Sequence, residues 1–308
     1  MTGHSSVIVK DRQALPSRSG LGWGAIGVVA FSFTVPFTRL AAGSLAPLFI
    51  GSARAVLAAA LAGVALLMAR ERWPSGVQWA RLLVVAAGVV VGFPLLSSYA
   101  LTTAPASHGA VVIGLLPAAT AVAAVLRGRE RPARSFWVLA ALGAAVTVVF
   151  AALTGRGLGG LTAADLLLFG AVAAAAIGYA EGGILARELG SWQTVSWALV
   201  LAAPPMAVFT AVSVAEHPPN ASGIQWLAFA YLAVVSMFLG FFAWYRGLAI
   251  GPMTRVSQIQ LVQPVLSILW AALILGEQLT PATVMGGLAV ILCAALAVRT
   301  RLGRRDPS

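Results

Sequence analysis

Along this chain, polar residues come in short clusters and apolar residues in long runs. A polar opening stretch carries Lys10, Arg12 and Arg18. Apolar runs then follow near residues 21–39, 46–69, 78–101, 106–126, 135–154, 164–186, 192–214, 223–246, 252–275 and 280–299. Each is close to the roughly 20 residues that an α-helix needs to cross about 30 Å of hydrocarbon. The connections are mostly short, so successive helices run antiparallel. Gly and Pro recur inside the runs, as membrane helices tolerate. The pattern predicts an all-α polytopic membrane protein with ten transmembrane helices.

Composition narrows the class. The 308 residues are 60% hydrophobic and 9% charged, against about 25% charged in a soluble domain. Mean hydropathy is +0.92. That excludes a soluble enzyme, a disordered chain and a disulfide scaffold, and leaves the lipid bilayer as the chain's main partner. The lone Cys293 has no partner for an internal disulfide. The net charge of +11 fits either a nucleic-acid binder or a membrane protein with basic cytoplasmic loops. Position decides. With the N-terminus inside, every Lys and Arg except Arg39, Arg54 and Arg156 falls at a cytoplasmic end. No nucleic-acid partner is expected. Both termini are expected in the cytoplasm, with residues 1–20 and 300–308 as tails. The first tail has no apolar core of a signal peptide.

The chain also resembles itself. Gly76-Val77-Gln78-Trp79 aligns with Gly223-Ile224-Gln225-Trp226. At the same offset, and without a gap, Leu101 falls on Leu248, Pro105 on Pro252, Pro117 on Pro264 and Glu130 on Glu277. With one residue removed, Gly24-Ala25 falls on Gly170-Ala171. Ala and Leu match by chance in apolar helices; Trp, Pro and Glu carry the weight. The repeats are placed at 21–154 and 162–299. Five helices in each half reverse the second relative to the first, which is the inverted-repeat plan of many secondary transporters.

The most specific stretch is Gln263-Pro264-Val265-Leu266, followed by Leu273-Ile274-Leu275-Gly276-Glu277, Thr280-Pro281 and Gly286-Gly287. A degraded copy stands in the first half as Pro117, Leu126 and Arg127-Gly128-Arg129-Glu130. Trp23-Gly24 and Pro47 with Arg54 open the chain in the same style. Together these resemble the drug/metabolite transporter superfamily, specifically its EamA-type members, over about residues 20–300. The resemblance implies export of amino acids, other metabolites or drugs across a bacterial-type inner (plasma) membrane, with no cofactor. The Arg-rich first-half turn lacks a Gly directly before Glu130, which sets Glu130 apart from Glu277.

Candidate site residues are the polar groups at membrane depth. Glu181, between Tyr179 and Gly182-Gly183, leads them, because a buried carboxylate is costly and usually faces a cavity. The alternative places it at the inner interface, since Arg187 and Glu188 follow within about 10 Å of helix. Arg54 lies about two turns below the outer end of its helix. It can attract a substrate carboxylate, snorkel, or pair with a neighbouring acid. Gln260 and Gln263 share a helical face with Ser267, expected to line the central cavity; Ser257 and Gln258 precede them. Trp244 and Tyr99 are candidate substrate contacts. His108 and Arg255 each sit three residues after a Pro that opens a span, and are candidate gates. Glu277, placed to cap the tenth helix, and Asp165, in a capping box with Thr162, read as structural.

The sequence carries no metal or nucleotide motif. An intramembrane enzyme would need clustered acids at depth, and a channel would need a filter or polar ring. Neither pattern is present. The leading reading is a monomeric secondary transporter of a small molecule by alternating access, with an intramembrane enzyme or a channel as the alternatives from other classes. Its expected substrates are amino acids or related metabolites, aromatic amino acids being a refinement. Hydrophobic drugs are the alternative.

Overall fold

The structure is a computed structural model and describes residues 18–128, 133–154, 161–250 and 259–302. Among these residues all regular structure is helical and no strand occurs. Eight helices are long and apolar enough to cross a membrane. They are α1 (Ser19–Ala41), α2 (Pro47–Ala69), α3 (Gly76–Ala100), α4 (Ala106–Arg127), α5 (Arg134–Leu153), α6 (Ala163–Leu189), α7 (Ser191–Glu216) and α8 (Gly223–Ile250). Two shorter apolar helices follow, α9 (Gln260–Leu275) and α10 (Pro281–Ala297). Large apolar side chains such as Leu57, Val64, Leu153 and Leu292 point outward, an outer surface suited to lipid. Residues 1–17 and 303–308 of the two tails, Glu130, Arg255, Ser257 and Gln258 lie outside the described residues, while helical structure already begins at Arg18 and the last helix runs to Leu302.

Local sequence sets the helix ends. Gln78 Oε1 accepts the backbone N–H of Ser75 at 2.8 Å, and Gln225 Oε1 accepts that of Ser222 at 2.9 Å. Both are capping boxes, which satisfy otherwise loose first-turn donors. Thr162 and Asp165 form the third, at the start of α6. Gly276, at φ 65°, ends α9 in the left-handed conformation that glycine adopts without penalty.

Prolines set most of the interruptions. Pro36 cannot donate to the Ser32 carbonyl, and α1 breaks at Phe33. Ahead of Pro94, residues Ala86–Gly92 of α3 form a π-helical stretch. Ahead of Pro117, α4 breaks at Gly114 and Leu115. Ahead of Pro264, Gln260–Val262 tighten to 3-10 geometry. A second π stretch, Leu232–Leu239, lies in α8 without a proline. The Ser75 and Ser222 capping boxes, the π stretches and the Pro117/Pro264 breaks therefore occur at matched positions of the two halves.

Packing pairs α2 with α7, α1 with α8, α5 with α10, α3 with α6, and α4 with α6 and α9. Small residues allow the close approaches, as is common between membrane helices. A Cβ on Gly247 would lie 2.7 Å from Gly24 N and 2.9 Å from Gly24 Cα, so α1 and α8 meet backbone to backbone there. Glu277 caps a different helix from the one its sequence position suggests. Its Oε1 and Oε2 accept the backbone N–H groups of Ala106 and Ser107 at 2.7 and 2.8 Å. The first turn of α4 offers free donors and a positive dipole end, and the α9–α10 turn lies over it rather than folding onto α10.

Gly247→Val is expected to destabilise the protein by about 1–3 kcal/mol through overpacking against immovable backbone. Gly223→Ala, where a Cβ meets nothing within 4 Å, is expected to be close to neutral. Thermal unfolding in nanodiscs measures both, and equal melting temperatures would contradict the α1–α8 contact.

Candidate functional site

The broken helices converge on one region. A cleft with about 470 Å³ of empty space is lined by Phe31, Thr34 and Val35 of α1, Arg54 of α2, Val89, Phe93 and Pro94 of α3, and Leu116 of α4. Ala175 and Tyr179 of α6, Ser236, Met237 and Phe241 of α8, and Gln263 of α9 complete it. A second, smaller cavity of about 250 Å³ lies where the Pro117 and Pro264 breaks face each other, and Gln260, Gln263 and Ser267 share the face of α9 that lines it. Gln263 belongs to both.

Loose backbone groups at a break need partners when no water is at hand. The Ser32 carbonyl, released by Pro36, accepts Ser267 Oγ at 2.7 Å. Ser32 Oγ donates to Val29 O at 2.7 Å and accepts Trp270 Nε1–H at 2.9 Å. Phe33 stacks on Trp270, with ring centroids 4.6 Å apart and planes at 14°. Thr34 and Ser236 share a hydroxyl–hydroxyl bond of 2.7 Å on the cleft wall. Sequence reasoning missed this joint between α1, α8 and α9. The Pro36 kink was the available signal.

Arg54 is 1% exposed, and its Nε and Nη2 have no hydrogen-bond partner. Buried Gln260 Nε2 and Gln263 Oε1 also have none. The region thus holds unused donors and an acceptor beside an aromatic wall. Tyr179 contributes to that wall through an edge-on contact with Phe241.

Glu181 does not line either cavity. It sits toward the end of α6 that carries Glu188 and binds two arginines. Arg81 of α3 donates Nε–H to Glu181 Oε1, and Arg127 of α4 donates Nε–H to Oε2 at 2.7 Å. Arg81 also donates to Glu188 Oε1 at 2.6 Å. Two cations and two anions tie three helices together. The signal lay in Arg81, inside its apolar run at the depth of an acid on a neighbouring helix.

At the other end of the helices, His108 Nε2 lies 2.6 Å from Asp165 Oδ1, with both residues buried. Asp165 Oδ2 accepts Thr162 N–H at 2.8 Å. Arg39 donates to the Leu101 and Thr102 carbonyls at 2.8 and 2.6 Å. Trp244 is buried against Gly27, with Nε1 unpartnered, and Tyr99 is 43% exposed; neither lines either of these two cavities. No group of His, Cys, Asp and Glu able to hold a metal occurs among the described residues.

Arg127 and Glu181 should differ in what their loss costs. The Arg127 side chain is 55% exposed, so Arg127→Ala is expected to cost at most about 1 kcal/mol. Glu181→Ala leaves Arg81 largely buried with one partner fewer, and is expected to cost about 3 kcal/mol. Unfolding midpoints in nanodiscs would show the order, and equal losses would contradict it.

The chain as a whole is similar to known proteins. Residues 18–152 and 162–299 match the EamA-like transporter family. The uncharacterized transporter YdeK of Bacillus subtilis (strain 168) is 44% identical over 283 residues, which cover 90% of this chain and 97% of that protein. A solved crystal structure aligns with 94% of this chain and 99% of its own at a TM-score of 0.62 and 20% identity, and shares the fold. Both halves match the family and together span nearly the whole sequence: the chain belongs to the EamA-like transporter family.

Proposed function

We propose that the protein is a ten-span secondary transporter built as two inverted five-helix repeats, with both termini cytoplasmic, in a bacterial-type inner membrane. It works by alternating access and exports amino acids or related small metabolites. One observation carries the reading. Every helix interruption among the described residues borders the pair of cavities at the centre of the helices. Discontinuous helices around a central site are what transporters use to present backbone and polar groups to a solute. The matched capping boxes, π stretches and proline breaks support the repeat.

The same reading gives the end clusters a role. Glu181 with Arg81, Arg127 and Glu188 closes the cytoplasmic end of α3, α4 and α6. His108 with Asp165, and Glu277 on α4, close the opposite end. Arg255 stands by its position in the sequence as a gate on the cytoplasmic side. The two closures must open alternately for solute to pass.

Flux of metabolites into and out of proteoliposomes tests the function. Solute movement at transporter rates is expected. Currents at channel rates, or chemical turnover of a bound compound without flux, would overturn it. Fusions of a cytoplasm-active fluorescent reporter to each terminus are expected to fluoresce at both.

Glu181→Gln keeps the shape of the side chain and removes its charge. It is expected to slow transport at least about tenfold, equivalent to roughly 1.4 kcal/mol on the limiting barrier. Folded protein should be retained. Flux measured with and without a pH gradient separates two roles for Glu181. An equal slowing under both conditions assigns it to gating, and a loss confined to the gradient-driven rate assigns it to proton coupling. Normal transport under both would remove Glu181 from the mechanism.

A further inference from the structure

Arg54 has no ionic partner within the described protein. It lies seven residues past Pro47, about 10 Å along α2 from that end, and its buried guanidinium lines the 470 Å³ cleft with Nε and Nη2 unpartnered. The described acids are placed elsewhere. Asp165 is bound by His108 and Thr162, Glu181 and Glu188 by arginines, Glu71 by Gln193, and Glu277 by the first turn of α4. Glu216 is exposed at the end of α7. No carboxylate lines the cleft.

A desolvated cation without a counter-charge is unfavourable, and more so in a membrane. A ligand that brings the counter-charge removes the penalty. Guanidinium geometry suits a carboxylate, which it grips through two parallel hydrogen bonds. The remaining lining is aromatic and apolar, chiefly Phe31, Phe93, Tyr179, Met237 and Phe241. The neutral polar residues are Thr34 and Ser236, bonded to each other, Gln263 and Tyr179. An amide or phenol oxygen can accept a hydrogen bond from a ligand, but neither supplies a negative charge to an ammonium.

We propose that the cleft selects a monocarboxylate with an apolar body, held by Arg54 at its charged end. The proposal rests on the transport reading and narrows its substrate range. Among amino acids and their related acids, the acid that lacks the ammonium is preferred. A zwitterion would strip its ammonium of water with no anion to receive it, and a phosphate ester would bring a second negative charge to a single cation.

Four probes with one phenyl ring test this on the full-length protein in nanodiscs: 3-phenylpropanoate, phenylalanine, phenethylamine and phenyl phosphate. Isothermal titration is expected to give 3-phenylpropanoate at least a tenfold lower Kd than any of the other three. Arg54→Lys should weaken its binding about tenfold, and Arg54→Met should abolish it. A second readout guards against misfolding. Arg54→Met removes a buried unpaired charge, so without ligand it should melt at or above the temperature of the unmodified protein. The melting shift caused by 3-phenylpropanoate should vanish in it.

Equal or tighter binding of phenylalanine would overturn the proposal, as would an undiminished melting shift in Arg54→Met or no binding of any probe. Flux in proteoliposomes separates it from the reading beneath. Binding of 3-phenylpropanoate without transport of any solute would defeat the transport reading and leave the ligand class standing. Transport of phenylalanine in preference to 3-phenylpropanoate would do the reverse.

Discussion

A helix that breaks inside hydrocarbon leaves amides and carbonyls that no lipid can satisfy. That constraint organises this protein. Its interruptions are gathered around a protein-lined interior, where Ser267 Oγ, Trp270 Nε1 and the Thr34–Ser236 pair take up the loose polar capacity. The uninterrupted helices α2, α5, α7 and α10 meet in pairs, α2 on α7 and α5 on α10, and a hydroxyl bond from Thr210 to Ser52 joins the first pair. α6 is also unbroken, and both it and α2 reach the cleft, through Ala175, Tyr179 and Arg54.

Charge is distributed by the same logic. Arg81, Arg127, Glu181 and Glu188 sum to zero and bond one another near one end of the helices, where Arg127 and Glu188 reach solvent. His108 and Asp165 bond each other at the other end. Between the two, among the described residues, lies the buried guanidinium of Arg54. A protein optimised only for stability would replace Arg54 with an apolar residue. Its retention fits the usual exchange in which a binding site carries a local deficit that its ligand makes good.

Much of this was legible in the residues. The apolar runs gave helix positions to within a few residues over the described segments. The Pro117/Pro264 match pointed to the two breaks that frame the smaller cavity. The spacing of Gln260, Gln263 and Ser267 placed them on one face, and all three line that cavity. Arg54, Tyr179 and Gln263 meet in the larger one. What stayed hidden depended on the rotation of one helix against another. Periodicity cannot say which neighbour a charged residue near a helix end will face, so Arg81 and Arg127 read only as topological charges. Asp165 was legible as a cap, but its bond to His108 spans 57 residues. Glu277 was legible as a capping residue, though not which helix it caps.

That displaced cap has a mechanical consequence. Glu277 spends both oxygens on the amides of Ala106 and Ser107, so the turn between α9 and α10 is fastened to the tip of α4. Leu116, which borders both cavities, lies ten residues further along the same helix, about 15 Å away. The break at Gly114 and Leu115 falls just before it. Any displacement of the α9–α10 turn would be carried along α4 to the cleft wall. α10 contributes no side chain to the cleft, yet through Glu277 the turn that opens it is coupled to that wall.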